Sequence, residues 1–234
     1  MVENNITIGT MNRIMFSDKY GLTDAVLARR KTMTRRIIPP IEIDWNRRGT
    51  VTLPISGYKH GALWMDCRQF LPDSSPFDYV APQKYQPHYS VGEEVAIAQS
   101  YRNIIAAITP SFGSPHAYDD LRDKPGWNNK MFVRADLMPH RIKITGIKLE
   151  RLQDISEEDI YKEGFEKQSV NNGWGNAAWH WETMLTYMDD LGLYKEIRST
   201  NPQEAFECLI DKLSGYGTWE SNPWIYAYEF ELIK

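Results

Sequence analysis

Two side chains in this sequence carry a spacing that could do chemistry. Lys31 and Thr34 stand three positions apart in the run RRKTMTRR, residues 29–36. A threonine hydroxyl is a poor nucleophile until a neighbouring base takes its proton. A lysine serves as that base when desolvation and nearby cations lower its proton affinity. Lys31 stands among Arg29, Arg30, Arg35 and Arg36, so it is predicted to titrate below an ordinary lysine. The geometry sets a condition. At i, i+3 two side chains share a face of a helical turn, whereas in a regular strand they point to opposite faces. The pair therefore requires a helix-to-strand corner at 30–34.

The same run carries five cations and no acid, while the whole chain of 234 residues has a formal net charge of -4. Cations this dense repel one another unless an anion is expected. Arg35 and Arg36 are accordingly candidates to touch a phosphate or a base edge. Charge is uneven further along as well. Residues 130–151 are basic, and 154–166 hold six acids against Lys162. The acidic remainder disfavours long nucleic acid, which wants a broad positive surface. A small nucleoside or a short single-stranded tip needs only a local basic pocket.

Several chemistries are not signalled. The chain has no GxGxxG, GxxxxGK[ST] or GxSxG run. Its five histidines are scattered without HExxH spacing, and Cys67 and Cys208 form no CxxC pair. No metal and no cofactor is expected, and each cysteine is expected to be a buried thiol. No apolar run approaches the roughly 18 residues of a membrane span, and the first residues do not read as a leader. A cytoplasmic location is the expectation. The aromatic content is high, with 8 Trp, 13 Tyr and 8 Phe, which suits a β-rich fold and also a pocket that stacks planar ligands. Trp174, Trp179 and Trp181 could stack a base, although core packing is the favoured reading for them, as for Trp219 and Trp224.

The elements that must position Lys31 and Thr34 follow from periodicity. RIMFS (13–17) reads as a short strand, 22–30 as a helix, and 31–38 as an extended segment stopped by Pro39-Pro40. VTLPI (51–55) and ALWMD (62–66) flank a GYKHG turn and predict a hairpin. Residues 72–88 read as loop, 91–101 as strand, and 103–128 as an irregular excursion. RIKITGIKLERL (141–152) alternates apolar and polar residues and shifts phase at Gly146, which predicts a bulge. Ser156 with Asp159 caps a short helix at 157–163, stopped by Gly164. Asn201-Pro202 opens a helix through about Leu213, closed by Gly215. WIYAYEFELI (224–233) is a final strand. This order predicts an α+β fold, a compact mixed β-barrel plugged by helices.

The segment AVLARRKTMTRR (25–36) resembles the signature of the ASCH family of the PUA-like superfamily, in which a helix leads into a K-T-x-T-R type segment. VGEEVAIAQSY (91–101), MPHRIKITGIKLERLQDISEEDIYKEGF (138–165) and FECLIDKLSGYGTWESNPWIYAYEFEL (206–232) look like the longer ASCH proteins encoded in phages and prophages. The resemblance implies one ASCH domain over 1–234, a PUA-like mixed β-barrel with peripheral helices and two long insertions at about 40–88 and 167–200. It implies a cleft for RNA or a modified nucleoside, bordered by Arg29, Arg30, Arg35, Arg36 and Tyr101. Short bacterial ASCH proteins are amidohydrolases of N4-acetylcytidine. Carried over to this chain, that activity makes Thr34 the nucleophile, Lys31 its base and Glu163 a proton carrier. The chain departs from the pattern in its length, in Arg30 before the lysine, and in Gln99-Ser100-Tyr101, where longer relatives often carry an acid before the aromatic; Glu93 and Glu94 are nearby alternatives. Three readings stay open: an amidohydrolase, a non-catalytic RNA-binding module, and a phage-associated interaction protein.

Overall fold

The computed structural model describes residues 11–44, 50–67, 78–108, 119–171, 179–189 and 191–233, the side chains of 43, 78, 107, 108, 171, 179 and 180 excepted. In chain order the strands are β1 (Arg13–Ile14), β2 (Met33–Ile37), β3 (Ile41–Asp44), β4 (Thr50–Leu53), β5 (Ile55–Lys59), β6 (Ala62–Asp66), β7 (Asp78–Val80), β8 (Glu94–Ile97), β9 (Arg141–Arg151), β10 (Glu166–Asn171), β11 (Trp179–Met188), β12 (Tyr194–Ser199) and β13 (Trp224–Leu232). The helices are α1 (Leu22–Leu27), α2 (Tyr101–Ile108), α3 (Asp119–Arg122), α4 (Glu157–Lys162) and α5 (Pro202–Ser214). The fold is mixed α+β.

The centre is a five-stranded sheet in the order β1-β8-β9-β13-β2. The long strands β9 and β13 pair antiparallel, and β1 pairs β8 in parallel. Among the described residues no pairing joins β1 to β2, so the sheet has two edges and is not a closed barrel. The β9–β13 register shifts between Glu229 and Phe230, leaving Thr145 as the extra residue beside Gly146. This is the bulge that the phase change predicts.

Burial on both faces of β13 shows where the core lies. Ile225, Tyr226, Ala227 and Tyr228 are all buried. Tyr58 and Tyr89 pack edge-on against Tyr226 and Tyr228, with centroids 5.9 and 5.3 Å apart. Phe206 of α5 is fully buried, a burial worth about 2–3 kcal/mol for a phenylalanine. α5 forms where its sequence signals put it: the Asn201 side chain accepts from Gln203 N at 3.0 Å, Pro202 occupies the first turn, and Gly215 follows at φ +108°. In α4 the Ser156 side chain accepts from Asp159 N.

Several boundaries differ from the sequence reading. β1 and α1 are shorter than 13–17 and 22–30, and β8 stops at Ile97, so Tyr101 begins a helix. The hairpin is β5–β6 turned at His60-Gly61, while Thr50–Leu53 pairs with β3. The alternation in 51–55 straddles Pro54, and the chain divides there into two partners. Residues 78–80 add a third strand to that hairpin. The second excursion carries a three-stranded sheet, β10-β11-β12. Cys67 is buried, but Cys208 is exposed, because it stands on the outer face of α5 beside buried Leu209. Trp181 is exposed rather than packed in a core. Trp174 lies outside the described residues, as does the side chain of Trp179. Trp219 and Trp224 are half-buried against the main core.

Candidate active site

α1 ends at Leu27, and Arg29 takes φ +60°, which turns the chain sharply. Arg30 N and Lys31 N both donate to Ala25 O, at 2.8 and 3.0 Å. Lys31 then pairs with Glu163 as an isolated antiparallel bridge, and β2 starts at Met33. This is the helix-to-strand corner that the spacing requires. Glu163 arrives as the C-cap of α4, and Gly164 leaves it at φ +106°.

At that corner Lys31 is buried, with 1% of its side chain exposed. Its Nζ donates to the Glu163 carboxylate and, at 3.1 Å, to the Glu163 carbonyl. The other carboxylate oxygen of Glu163 accepts from Arg35 Nη1 at 2.8 Å. Arg35 Nη2 reaches Glu150 at 2.9 Å and Asp159 at 3.5 Å. Asp159 is also met by Lys148 and Lys162 at 3.5 and 3.3 Å. Each buried cation thus meets a carboxylate, with Glu163 shared between Lys31 and Arg35, as burial of charge demands.

Lys31 is held below the ordinary lysine value. Burial is the main cause; Glu163 opposes it by charge and hydrogen bond, and Arg36 and Arg35 add smaller downward pushes. The direction is the one read from the sequence, but the dominant cause is loss of water rather than the arginine cluster.

Thr34 is buried on β2 opposite Tyr228 of β13. Its hydroxyl has no hydrogen-bond partner among the described residues. Strand alternation puts Thr34 and Arg36 on one face of β2 and Arg35 on the other, the side that Lys31 shares through Glu163. β2 is an edge strand, so side chains from both faces border the same space. Accordingly Lys31, Thr34, Arg35, Arg36 and Glu163 all line one cavity of about 440 Å³, together with Met15, Phe16, Lys130 and an apolar wall of Phe206, Leu209, Ile210 and Leu213.

The remaining sequence candidates lie elsewhere. Arg29 Nη1 donates to Leu232 O at 2.8 Å, and Arg30 forms an exposed ion pair with Glu166 at 3.1 Å. Tyr101 packs with Ala96, Ala98, Ile104, Val133 and Met138 in a separate small cluster. Glu93 takes bonds from Asn12 Nδ2 and Ser90 N, and Glu94 is 3.9 Å from Arg141. None of these five lines the cavity. Arg35 does line it, but both of its terminal nitrogens are committed to carboxylates. Among the described residues no group of three or more His, Cys, Asp or Glu is placed to hold a metal ion, and no helix is long and apolar enough to cross a membrane.

The sequence reading missed Lys130 and the α5 wall. Lys130 stands in the basic stretch 130–151, but nothing in its spacing ties it to residues 15–37. α5 is recognisable as amphipathic, yet periodicity does not say which strand its apolar face covers. No family model matches the chain, and no curated protein or solved structure matches it either.

Proposed function

We propose that this chain recognises a modified nucleoside or a short RNA segment in the cavity at the β2 edge and hydrolyses an N4-acyl cytidine amide there. The reading rests on the resemblance to ASCH proteins, with the five-stranded sheet as their PUA-like framework. The observation that carries it is the convergence of Lys31, Thr34 and Glu163 on one cavity, with the Thr34 hydroxyl unpartnered and Lys31 below its ordinary proton affinity.

In this reading Thr34 Oγ1 attacks the acyl carbon and Lys31 Nζ takes the hydroxyl proton. The bond from the acyl carbon to the exocyclic nitrogen breaks as that proton, relayed by Glu163, reaches the leaving nitrogen. Cytidine departs, and water then hydrolyses the threonyl ester to release the carboxylic acid. Arg35 stays on Glu163 throughout, so the carboxylate keeps a counter-charge when Lys31 is neutral.

One observation favours the second reading, binding without chemistry: Lys31 Nζ is bonded to Glu163, and no hydrogen bond joins it to Thr34 among the described residues. Catalysis requires Lys31 to swing from Glu163 to Thr34, or a water to bridge them. The decisive experiment incubates the protein with N4-acetylcytidine and follows cytidine release, beside Thr34→Ala and Lys31→Met, each checked for folding by circular dichroism. Release abolished in both folded variants supports hydrolysis. Binding without release leaves the non-catalytic module.

A further inference from the structure

The cavity is lined by four cationic side chains, Lys31, Arg35, Arg36 and Lys130, and by one acidic side chain, Glu163. Three of the cations are answered by carboxylates. Lys31 and Arg35 hold Glu163, and Lys130 Nζ holds Asp18 Oδ1 at 2.9 Å. Arg36 differs. Its Nη2 donates to the Met15 carbonyl at 2.6 Å, and among the described residues no carboxylate meets it. It is exposed at the rim, so a guanidinium with free donors faces a partly enclosed space.

Lys130 reaches the same rim from another direction. Its Nζ donates to the Phe16 carbonyl at 2.5 Å, the next carbonyl after the one Arg36 uses. Both side chains are thus anchored on the Met15–Phe16 backbone, and both line the same cavity. In the same cavity, Phe206, Leu209, Ile210 and Leu213 offer an apolar surface for a planar base. Two cationic side chains and an apolar wall in one cavity match a molecule that is apolar at one end and anionic at the other. A phosphate presents the oxygens that an arginine fork binds best, and a lysine adds a point charge.

We propose that Arg36 and Lys130 form a phosphate subsite, so that the cavity prefers a nucleoside carrying a phosphate over the bare nucleoside. This rests on the nucleoside reading above. The phosphate comes either from a free nucleotide or from an RNA backbone, and the same chemistry recognises both.

Isothermal titration of the full chain tests it, using N4-acetylcytidine, its 5′-monophosphate, and a trinucleotide with N4-acetylcytidine at its centre. Arg36→Gln and Lys130→Gln are titrated in parallel, and where turnover occurs KM replaces the dissociation constant. The expected result is an affinity for the monophosphate at least about tenfold above that for the nucleoside, falling with salt and reduced to within about threefold in Arg36→Gln. A trinucleotide that matches the monophosphate assigns the subsite to an RNA backbone; a gain for the monophosphate alone assigns it to a free nucleotide. Equal binding of nucleoside and monophosphate overturns the subsite and leaves the nucleoside reading standing. No binding of any of the three overturns both. A phosphate preference undiminished in both variants overturns the assignment to Arg36 and Lys130.

Discussion

Lys31 and Glu163, 132 positions apart, are joined twice, by a backbone bridge and by their side chains. The double connection sets position and charge together: the backbone bridge delivers the carboxylate to the lysine, and the surrounding burial makes that carboxylate its main electrostatic partner. Arg35 holds the other oxygen of Glu163, so one acid serves two cations.

Glu163→Gln should therefore cost far more than a surface substitution. It leaves Lys31 and Arg35 buried with their shared counter-charge removed. Breaking a buried pair typically costs about 3–5 kcal/mol, and urea denaturation should show a loss of that order. A change below about 1 kcal/mol would mean that water or another acid replaces the carboxylate.

The depressed proton affinity of Lys31 has a signed consequence for stability. Above the unfolded value of 10.5 the group is neutral in both states. Between the folded value and 10.5 the unfolded chain binds more protons, so stability rises with pH across that window. Below the folded value both states are protonated, and the destabilising contribution is fully present. Urea midpoints measured over alkaline pH should climb through this window in the wild type, and Lys31→Met should flatten the climb. A wild type that loses stability through the window contradicts the assignment.

Arg35 is a positioning residue in this arrangement. It pushes Lys31 downward by its own charge and takes one oxygen of Glu163. Arg35→Gln should raise the Lys31 titration midpoint, read from the ¹³Cε shift, because Glu163 then serves Lys31 alone. Arg35→Lys should restore part of the wild-type value. A purely structural role would change stability and leave the Lys31 midpoint where it is.

Thr34 should separate stability from activity. Its hydroxyl has no partner among the described residues, so Thr34→Val, which keeps the shape, should alter stability by less than about 1 kcal/mol. Cytidine release from N4-acetylcytidine should fall at least about a hundredfold with it, and Thr34→Ser should retain turnover. Equal rates in Thr34→Val would remove Thr34 as nucleophile.

Gly164 leaves Glu163 at φ +106°, where a Cβ would stand 3.4 Å from the Cβ atoms of Ala25 and Lys31. The contact is tolerable but the backbone conformation is not, so Gly164→Ala should destabilise by about 1–3 kcal/mol. The same change should disturb the Lys31–Glu163 bridge, visible as a shifted Lys31 signal. An unperturbed Lys31 signal in the folded variant would mean that the bridge does not depend on this turn.

Elements whose signals lie within a few residues were legible in the sequence. The Ser156 cap of α4, the Asn201-Pro202 start of α5, the bulge beside Gly146 and the terminal strand β13 all depend on local hydrogen bonding and on a two- or 3.6-residue period. The corner between α1 and β2 was legible for the same reason, and with it the nearness of Lys31 to Thr34. The division of 51–66 between two sheets was not, because alternation marks a strand without naming its partner. The sequence determined that a lysine and a threonine share a turn of chain rich in cations. Only the tertiary structure decided that Lys31 is buried, that Arg35 is spent on three acids, and that Lys130 and α5 close the cavity. Those outcomes depend on contacts between residues roughly a hundred or more positions apart, and no local periodicity records which distant surfaces will exclude water from a given charge.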